Sequence, residues 1–456
     1  MLKNKKAKII FIVISIIFAI LLGIFSTAVY MQNHNHFKIA DKIYDFVLFC
    51  PNAKKMQNEC RYHLAEDYLQ RKEYVNAMLI YEKLSEREYA DSFSKLQFCQ
   101  YNIANALYNY ENYELAQTYY AKLGDYNNAS EMYYYCQYKM AEQALLQNDF
   151  EKAFSMYNAL IDEAPYSHIV KECEDAFYNI ALSHMHKLDW ETAKTILTNL
   201  PNHAKSVAAI KSCDYWCEAT SSDELIDIEA NNVILQTELG TLYELYNSYI
   251  YIPKELNEAT KALIYFSGGM GGNILDKYYP QNYVKNYNPN AFCIFMRGSG
   301  CTYMEKQFSN VLNILSSLIN NYQHCPTEIS IIGSSNGGYS ALRFAAYLYS
   351  TVGMDMLSIS ILDMGLNWED LGFRGNLNDD EIECLAQSET TVYAFEQSSY
   401  LDCFSPVVKM REGNIEVIGV ECTNKGHDAI TKIAFANGMF SWTLQETELD
   451  SNEYSF

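Results

Sequence analysis

Glycine is almost confined to one half of this 456-residue chain: of twenty, only Gly23 and Gly124 precede residue 240, and the other eighteen fall between Gly240 and Gly438. Glycine collects where turns need positive φ, and it weakens a helix interior by roughly 1 kcal/mol relative to alanine. The split therefore predicts a helical first half and a second half rich in strands and tight turns. The boundary is expected near residues 219–230, in the polar run ATSSDELIDIEANN. A chain of this length has room for two or three domains.

Residues 9–30 form a 22-residue run without a charge. At about 1.5 Å per residue it spans about 33 Å, enough to cross a hydrocarbon core of about 30 Å. Lys3, Lys5, Lys6 and Lys8 precede it and no acid does. The positive-inside rule then predicts a cytoplasmic N-terminus and an extracytoplasmic remainder. The competing reading is a cleaved signal peptide with Ser26-Thr27-Ala28 as its cleavage site. Its apolar core should be about 7–15 residues, shorter than this run. The expectation is an uncleaved anchor at residues 1–30, with the membrane as a partner through residues 9–30. The net charge of −22 lacks the basic footprint of a nucleic-acid surface.

The helical half repeats itself. Four segments align: YHLAEDYLQRKEYVNAMLIYEKL, YNIANALYNYENYELAQTYYAKL, YKMAEQALLQNDFEKAFSMYNAL and YNIALSHMHKLDWETAKTILTNL. They open at Tyr62, Tyr101, Tyr138 and Tyr178, a period of 37 to 40. Each holds two alanines twelve apart, Ala65/Ala77, Ala104/Ala116, Ala141/Ala153 and Ala181/Ala193, with a leucine seven later at Leu84, Leu123, Leu160 and Leu200. An aromatic stands three before the second alanine: Tyr74, Tyr113, Phe150 and Trp190. Constant internal spacing with variable linkers is the signature of stacked helical hairpins, in which the small residues let paired helices approach. The pattern resembles the tetratricopeptide repeat, which has small residues at that spacing and a large residue four after the second, here Tyr81, Tyr120, Tyr157 and Leu197. It departs in its longer period and in lacking the closing proline, and it looks like a variant common in bacterial surface proteins. The resemblance covers roughly residues 38–218, within an expected repeat domain of 31–220. It implies a solenoid that binds a protein partner; a spacer holding the second half off the membrane is the alternative.

Four of the thirteen cysteines, Cys60, Cys99, Cys136 and Cys213, each lie two residues before a hairpin-opening tyrosine or its equivalent Tyr215. They recur because the repeat recurs, and a buried free cysteine behaves as a small apolar residue. An odd total without C-x-x-C argues against a disulfide scaffold and a zinc site. His34/His36 and His184/His186 stand two apart, a spacing that points to different faces of a helix. No metal and no cofactor is expected.

In the second half, short apolar runs bounded by turn residues read as strands: TLYELYNSYIYI as a hairpin, then ALIYF, AFCIFM, EISIIG, LSISILD, TVYAFE and IEVIGVE. Helical patterns alternate with them in MEKQFSNVLNILSSLINNY, in GYSALRFAAYLYS and from Asp428 to about Gln445. The alternation predicts a mostly parallel sheet of about eight strands with helices on both faces.

Gly333-Ser334-Ser335-Asn336-Gly337 is G-x-S-x-G directly after an apolar strand and before a helix. A serine there sits on a strained turn that lifts its hydroxyl clear of the sheet. The following helix N-terminus adds unpaired N–H groups and a dipole that favours developing negative charge. After residue 220 the only histidines are His324 and His427. His324 precedes its strand, at the wrong end of the sheet. His427 follows the last strand, in ECTNKGHDAI, placed to act as a general base; a helix-capping surface histidine is the bland alternative. The run YFSGGMGGN after the strand at 262–266 leaves a bare backbone at the serine end of the sheet. N–H groups of Gly268 and Gly269, with that of Asn336, can form an oxyanion hole, where one donor is worth about a hundred- to thousandfold in rate. A phosphate cradle would need G-x-G-x-x-G or Gly-Lys-Ser/Thr, and neither is present.

These pieces, in this order, resemble the α/β-hydrolase fold in its esterase and lipase branch, over about residues 225–450 of an expected domain at 221–456. The resemblance implies acyl transfer: Ser335 attacks a carbonyl, His427 takes its proton, and water cleaves the acyl-enzyme. It also places the orienting acid after the seventh strand, in TVYAFEQSSYLDCFSP, where Asp402 stands four before Pro406. Glu396, nearer the strand end, and Asp363, after the sixth strand, are the alternatives. The family's usual His-Gly after that strand is replaced by Glu396-Gln397. The short acidic segment MGLNWEDLGFRGNLNDDEIECLAQSE is too small for a large apolar lid, which suits a bulky polar ester such as an acylated glycan. A peptidase of the same fold is the nearest alternative. A repeat scaffold with an inactive hydrolase domain is the non-enzymatic one.

Overall fold

A computed structural model describes residues 2–257, 259–268, 278–287, 289–297, 304–334, 336–354, 356–362, 377–388, 390–396 and 410–421. The chain divides into two compact units, Met1–Cys173 and Glu174–Phe456.

The first unit is helical throughout its described elements. The long apolar helix α1 (Leu2–Asn33) leads into α2 (Phe37–Tyr44). Helical hairpins follow: α3 (Ala53–Gln70) with α4 (Tyr74–Ser85), α5 (Ser92–Asn109) with α6 (Tyr113–Leu123), and α7 (Ala129–Leu146) with α8 (Phe150–Glu163). The division between units falls inside α9 (Ser167–His186), which is followed by α10 (Trp190–Thr198) and α11 (Ser206–Ala219). All eight alanines picked out by the twelve-residue spacing have no exposed surface. Tyr81, Tyr120, Tyr157 and Leu197 are likewise buried, at 1 % exposure or less. A larger side chain at those alanines would force the paired helices apart.

Each hairpin turns in the same way. Lys72, Glu111, Asn148 and Leu188 take left-handed backbone with φ of 59–60°. In three hairpins the next residue, Asn112, Asp149 or Asp189, accepts a hydrogen bond on its side chain from the backbone N–H three residues on. That bond satisfies one of the orphan donors at a helix start. The cysteines of the repeat are buried, and burial raises the Cys99 thiol to about 11 and those of Cys60, Cys136 and Cys213 to about 12. They remain protonated at neutral pH and serve as packing atoms.

The second unit contains a nine-stranded sheet among its described residues. Its strands are β1 (Asn232–Gln236), β2 (Gly240–Leu245), β3 (Ser248–Pro253), β4 (Lys261–Phe266), β5 (Ala291–Met296), β6 (Ile329–Ser334), β7 (Met356–Leu362), β8 (Val392–Glu396) and β9 (Val417–Glu421). The order is β1-β2-β3-β5-β4-β6-β7-β8-β9. The β1–β2, β2–β3 and β3–β5 pairings are antiparallel, and all pairings from β5 through β4 to β9 are parallel. A leading antiparallel hairpin, an inverted β5-β4 pair and a parallel remainder make the α/β-hydrolase sheet. β1 is the strand beyond the eight expected. Its short apolar run Val233-Ile234-Leu235 lies directly after the polar run, and at the sheet edge it is only half-buried.

Helices cover both faces. Ala262, Ile264 and Phe266 of β4 point into one core with α13 (Met304–Tyr322) and α14 (Asn336–Val352). Leu263 and Tyr265 point into the other with α12 (Tyr278–Tyr287), whose Tyr283 and Val284 are fully buried. This period-two alternation on a two-sided sheet produces continuous apolar runs. The short acidic segment between β7 and β8 contains a helix, α15 (Asp379–Gln387). Asn378 and Glu381 form a reciprocal capping box at its start. The expected helix from Asp428 lies outside the described residues.

The polar run after α11 is strapped to α13. The Ile226 N–H donates to Ser317 Oγ at 2.8 Å, and the Tyr322 hydroxyl donates to Glu229 at 2.6 Å. The last repeat hairpin also joins this unit: Trp216 of α11 is fully buried in the first of the two sheet cores, and Leu188, Trp190 and Tyr215 pack against it. Gly353, at φ +78°, closes α14 so near α11 that a Cβ there would lie 2.3 Å from the Ala208 carbonyl oxygen.

Candidate active site

β4 lies between β5 and β6. From β4 the chain crosses to one side to make β5, then returns past β4 to make β6. That reversal is a topological switch point, and open α/β sheets bind ligands outside the carboxyl ends of strands at such a point. The carboxyl ends of β4 and β6 are in register, Phe266 opposite Gly333.

A single residue, Ser335, separates the end of β6 at Ser334 from the start of α14 at Asn336. Two glycines make so abrupt a corner feasible. A Cβ on Gly333 would lie 2.1 Å from the Gly337 carbonyl oxygen, and one on Gly337 would lie 2.1 Å from the Phe266 carbonyl oxygen. The first turn of α14 is thus pressed against both its own strand and the end of β4. The same contact sets Ser267, 2.8 Å from that Cβ position, beside the helix start, with Gly268 next along the chain. The glycine-rich run and the serine corner therefore lead off from touching backbone, although Phe266 and Gly337 are 71 residues apart in sequence.

Below the corner, Ser334 Oγ and the Tyr265 hydroxyl are 2.9 Å apart in a buried hydrogen bond between β6 and β4. Sequence reading did not find this pair, because it depends on the register of two strands. Asn336 is the first residue of α14, where backbone N–H groups have no intrahelical acceptor. Glu396 closes β8, next to β7 in the sheet. Ser335, His427, Asp402, Asp363 and Gly269 lie outside the described residues.

His324 is at the opposite end of the sheet, before β6, with Nε2 3.4 Å from the carbonyl oxygen of Thr260, which precedes β4. Its ring stacks on His186 of α9, centroids 5.3 Å apart. His186 in turn has Nδ1 2.8 Å from the Cys325 carbonyl oxygen and Nε2 3.0 Å from the Thr327 hydroxyl. Burial lowers the His324 pKa below its ordinary value, nearby His186 lowers it further, and the Thr260 carbonyl opposes both. These histidines join the repeat to the sheet, away from the carboxyl ends of the strands.

A family model described as tetratricopeptide repeat matches residues 135–167 and 175–203, so the chain carries tetratricopeptide repeats. No curated protein matches this chain. Among solved structures, it is similar to a thermostable esterase from Pseudomonas putida ECU1011, at 9 % identity and TM-score 0.31, over 50 % of this chain and 86 % of that one. It is similar to carboxyl esterase 2 from the mycorrhizal fungus Tuber melanosporum, at 14 % identity and TM-score 0.32, over 51 % and 96 %. It is also similar to Est1E from Butyrivibrio proteoclasticus, at 13 % identity and TM-score 0.29, over 46 % and 99 %. The α/β-hydrolase assignment rests on the strand order.

Proposed function

We propose that this chain is a membrane-anchored, extracytoplasmic serine hydrolase that cleaves carboxylic esters of a bulky polar substrate such as an acylated surface glycan. Its parts are an anchor at 1–30, a repeat domain at 31–220 and a hydrolase domain at 221–456. The observation that carries the reading is the corner after β6. One residue turns the strand into a helix, two glycines that tolerate no side chain clamp the turn, and the turn abuts the start of a glycine-rich run at the switch point. That much constraint around one serine is what an exposed nucleophile requires.

In this reading Ser335 Oγ attacks the ester carbonyl carbon while His427 accepts its proton. The carbonyl oxygen becomes an oxyanion held by N–H groups of Gly268 or Gly269 and of Asn336. Collapse breaks the ester C–O bond, and the imidazolium returns its proton to the departing alkoxide. Water, deprotonated by His427, then releases the acid and frees Ser335. Asp402 orients the imidazole, with Glu396 and Asp363 as the alternatives; replacing such an acid costs about 10⁴ in turnover.

The packing of α1 supports retention of the anchor. Phe25 lies edge-on to Tyr44 with ring centroids 6.0 Å apart, Ala28 is fully buried, and the Tyr44 hydroxyl donates to Gln32 at 2.7 Å. Cleavage after Ala28 would strip α2 and the start of α3 of part of their core. The repeat surface is the place for a protein partner.

Fluorophosphonate labelling of the full chain tests the enzyme. Wild-type protein should label, and Ser335→Ala and His427→Ala should each abolish it. A folded wild-type chain that does not label would sink the enzyme reading and leave a repeat scaffold. Labelling with turnover of peptides but not esters would move the substrate class to peptides.

A further inference from the structure

The apolar run of α1 continues past the point where the helix acquires neighbours. Residues 10–20 include nine large apolar side chains that are 48–72 % exposed, around the whole helix. From Leu21 one face is covered: Leu21, Ile24, Phe25 and Ala28 pack on α2 and the start of α3. The chain reverses at Asn35, which has left-handed backbone, and the His36 N–H closes the turn on the Met31 carbonyl at 2.9 Å. α2 then runs back along α1, bringing Tyr44 at its far end against Phe25.

This geometry fixes the depth at which α2 ends. A hydrocarbon core of about 30 Å takes about 20 helical residues, and counted from Lys8 that reaches about residue 28. The end of α2, level with Phe25, therefore stands at the boundary between acyl chains and headgroups. Here the chain turns through residues 45–52 and exposes Phe46 (73 %), Leu48 (46 %) and Phe49 (67 %). Val47 between them is fully buried, and successive turn bonds from Phe46 to Ile43, Val47 to Tyr44 and Cys50 to Val47 hold the tip in shape. Exposed Lys42, Lys54 and Lys55 flank the tip. Of the neighbouring acids, Asp41 pairs with Arg61 at 2.6 Å, and the exposed Asp45 accepts from Gln57 at 2.6 Å and lies 3.6 Å from the same Arg61. An apolar point flanked by three exposed lysines complements an anionic bilayer surface.

We propose that the turn at residues 46–49 is a second membrane contact, in which Phe46, Leu48 and Phe49 enter the headgroup–acyl boundary of the leaflet from which α1 emerges and Lys42, Lys54 and Lys55 face anionic headgroups. The proposal rests on the reading of α1 as a retained anchor. A helix alone leaves the first hairpin free to swivel about its axis; the added wedge fixes which way that hairpin faces.

The test is photocrosslinking of the full chain in vesicles of phosphatidylcholine and phosphatidylglycerol. Benzoylphenylalanine replaces Phe46, Phe49, Phe18 within the span, or Tyr110, which is 84 % exposed at the end of α5. Lipid adducts are expected at Phe46, Phe49 and Phe18 and not at Tyr110. Adducts at Phe18 alone would overturn the second contact while leaving the anchor standing. Protein–protein adducts at Phe46 and Phe49 would overturn it in favour of a second copy as the occupant. Absence of lipid adducts at Phe18 would remove the anchor and this inference with it.

Discussion

At Gly337 a missing side chain matters more than most present ones. Its absence lets α14 rest on the Phe266 carbonyl, and a methyl group there would lie 2.1 Å from that oxygen. Backbone cannot yield as a flexible side chain does, so Gly337→Ala should lower stability by about 1–3 kcal/mol. It should also reduce fluorophosphonate labelling of the protein that still folds, because the corner and the glycine-rich run must separate. Denaturant unfolding with labelling of the folded fraction checks both; an unchanged unfolding midpoint would refute the clamp. The need for glycine here was legible in the sequence, since G-x-S-x-G after a strand and before a helix implies crowding on both sides of the serine. The Tyr265–Ser334 bond was not, because nothing local in either strand announces a partner 69 residues away. The acid of the proposed triad was not legible for the same reason: Asp363 and Asp402 come after strands in the sequence, Glu396 ends one, and only approach to His427 would distinguish them.

Elements meet through their ends as much as through their faces. The four repeat turns share left-handed backbone at Lys72, Glu111, Asn148 and Leu188, yet none is glycine and only one is asparagine. That is why the alanine spacing revealed the hairpins while the turn geometry stayed hidden. The joint between α9 and the approach to β6 has a chemical signature instead. His324 is 7 % exposed and held neutral mainly by burial, with His186 stacked beside it. Its folded pKa lies below the 6.5 of an exposed histidine, so in acid the unfolded chain binds the proton that the native joint refuses. Stability is therefore full above the unfolded value and is lost as pH falls from there through the lowered folded value. Unfolding midpoints should drop between pH 7.5 and pH 5, and His324→Gln should flatten that slope. An equal slope in the variant would show that the joint does not titrate in this range.

Over the whole molecule, the repeat pattern and the folding units divide the chain at different places. Period and glycine content both point to a change near residues 219–230, and the described elements pass from helix to strand between Ala219 and Asn232. The compact units instead part inside α9, because Trp216, Leu188 and Tyr215 supply core to the sheet and Gly353 admits α11 against α14. A hydrolase fragment cut at residue 221 should therefore aggregate or unfold at low denaturant, whereas one beginning at Pro165, just ahead of α9, should unfold cooperatively and keep its labelling. Soluble, cooperatively folded 221–456 would show that the hairpin is dispensable. The division was not legible in the sequence because α11 follows the repeat's rules on one side and serves the sheet on the other. The arrangement also sets a clock. α11 packs on α13 and α14, which leave the ribosome about 100–130 residues later, at about 5–20 residues per second. For on the order of ten seconds the finished hairpin waits with Trp216 uncovered, so the newborn chain, more than the mature one, is where this protein risks sticking to others.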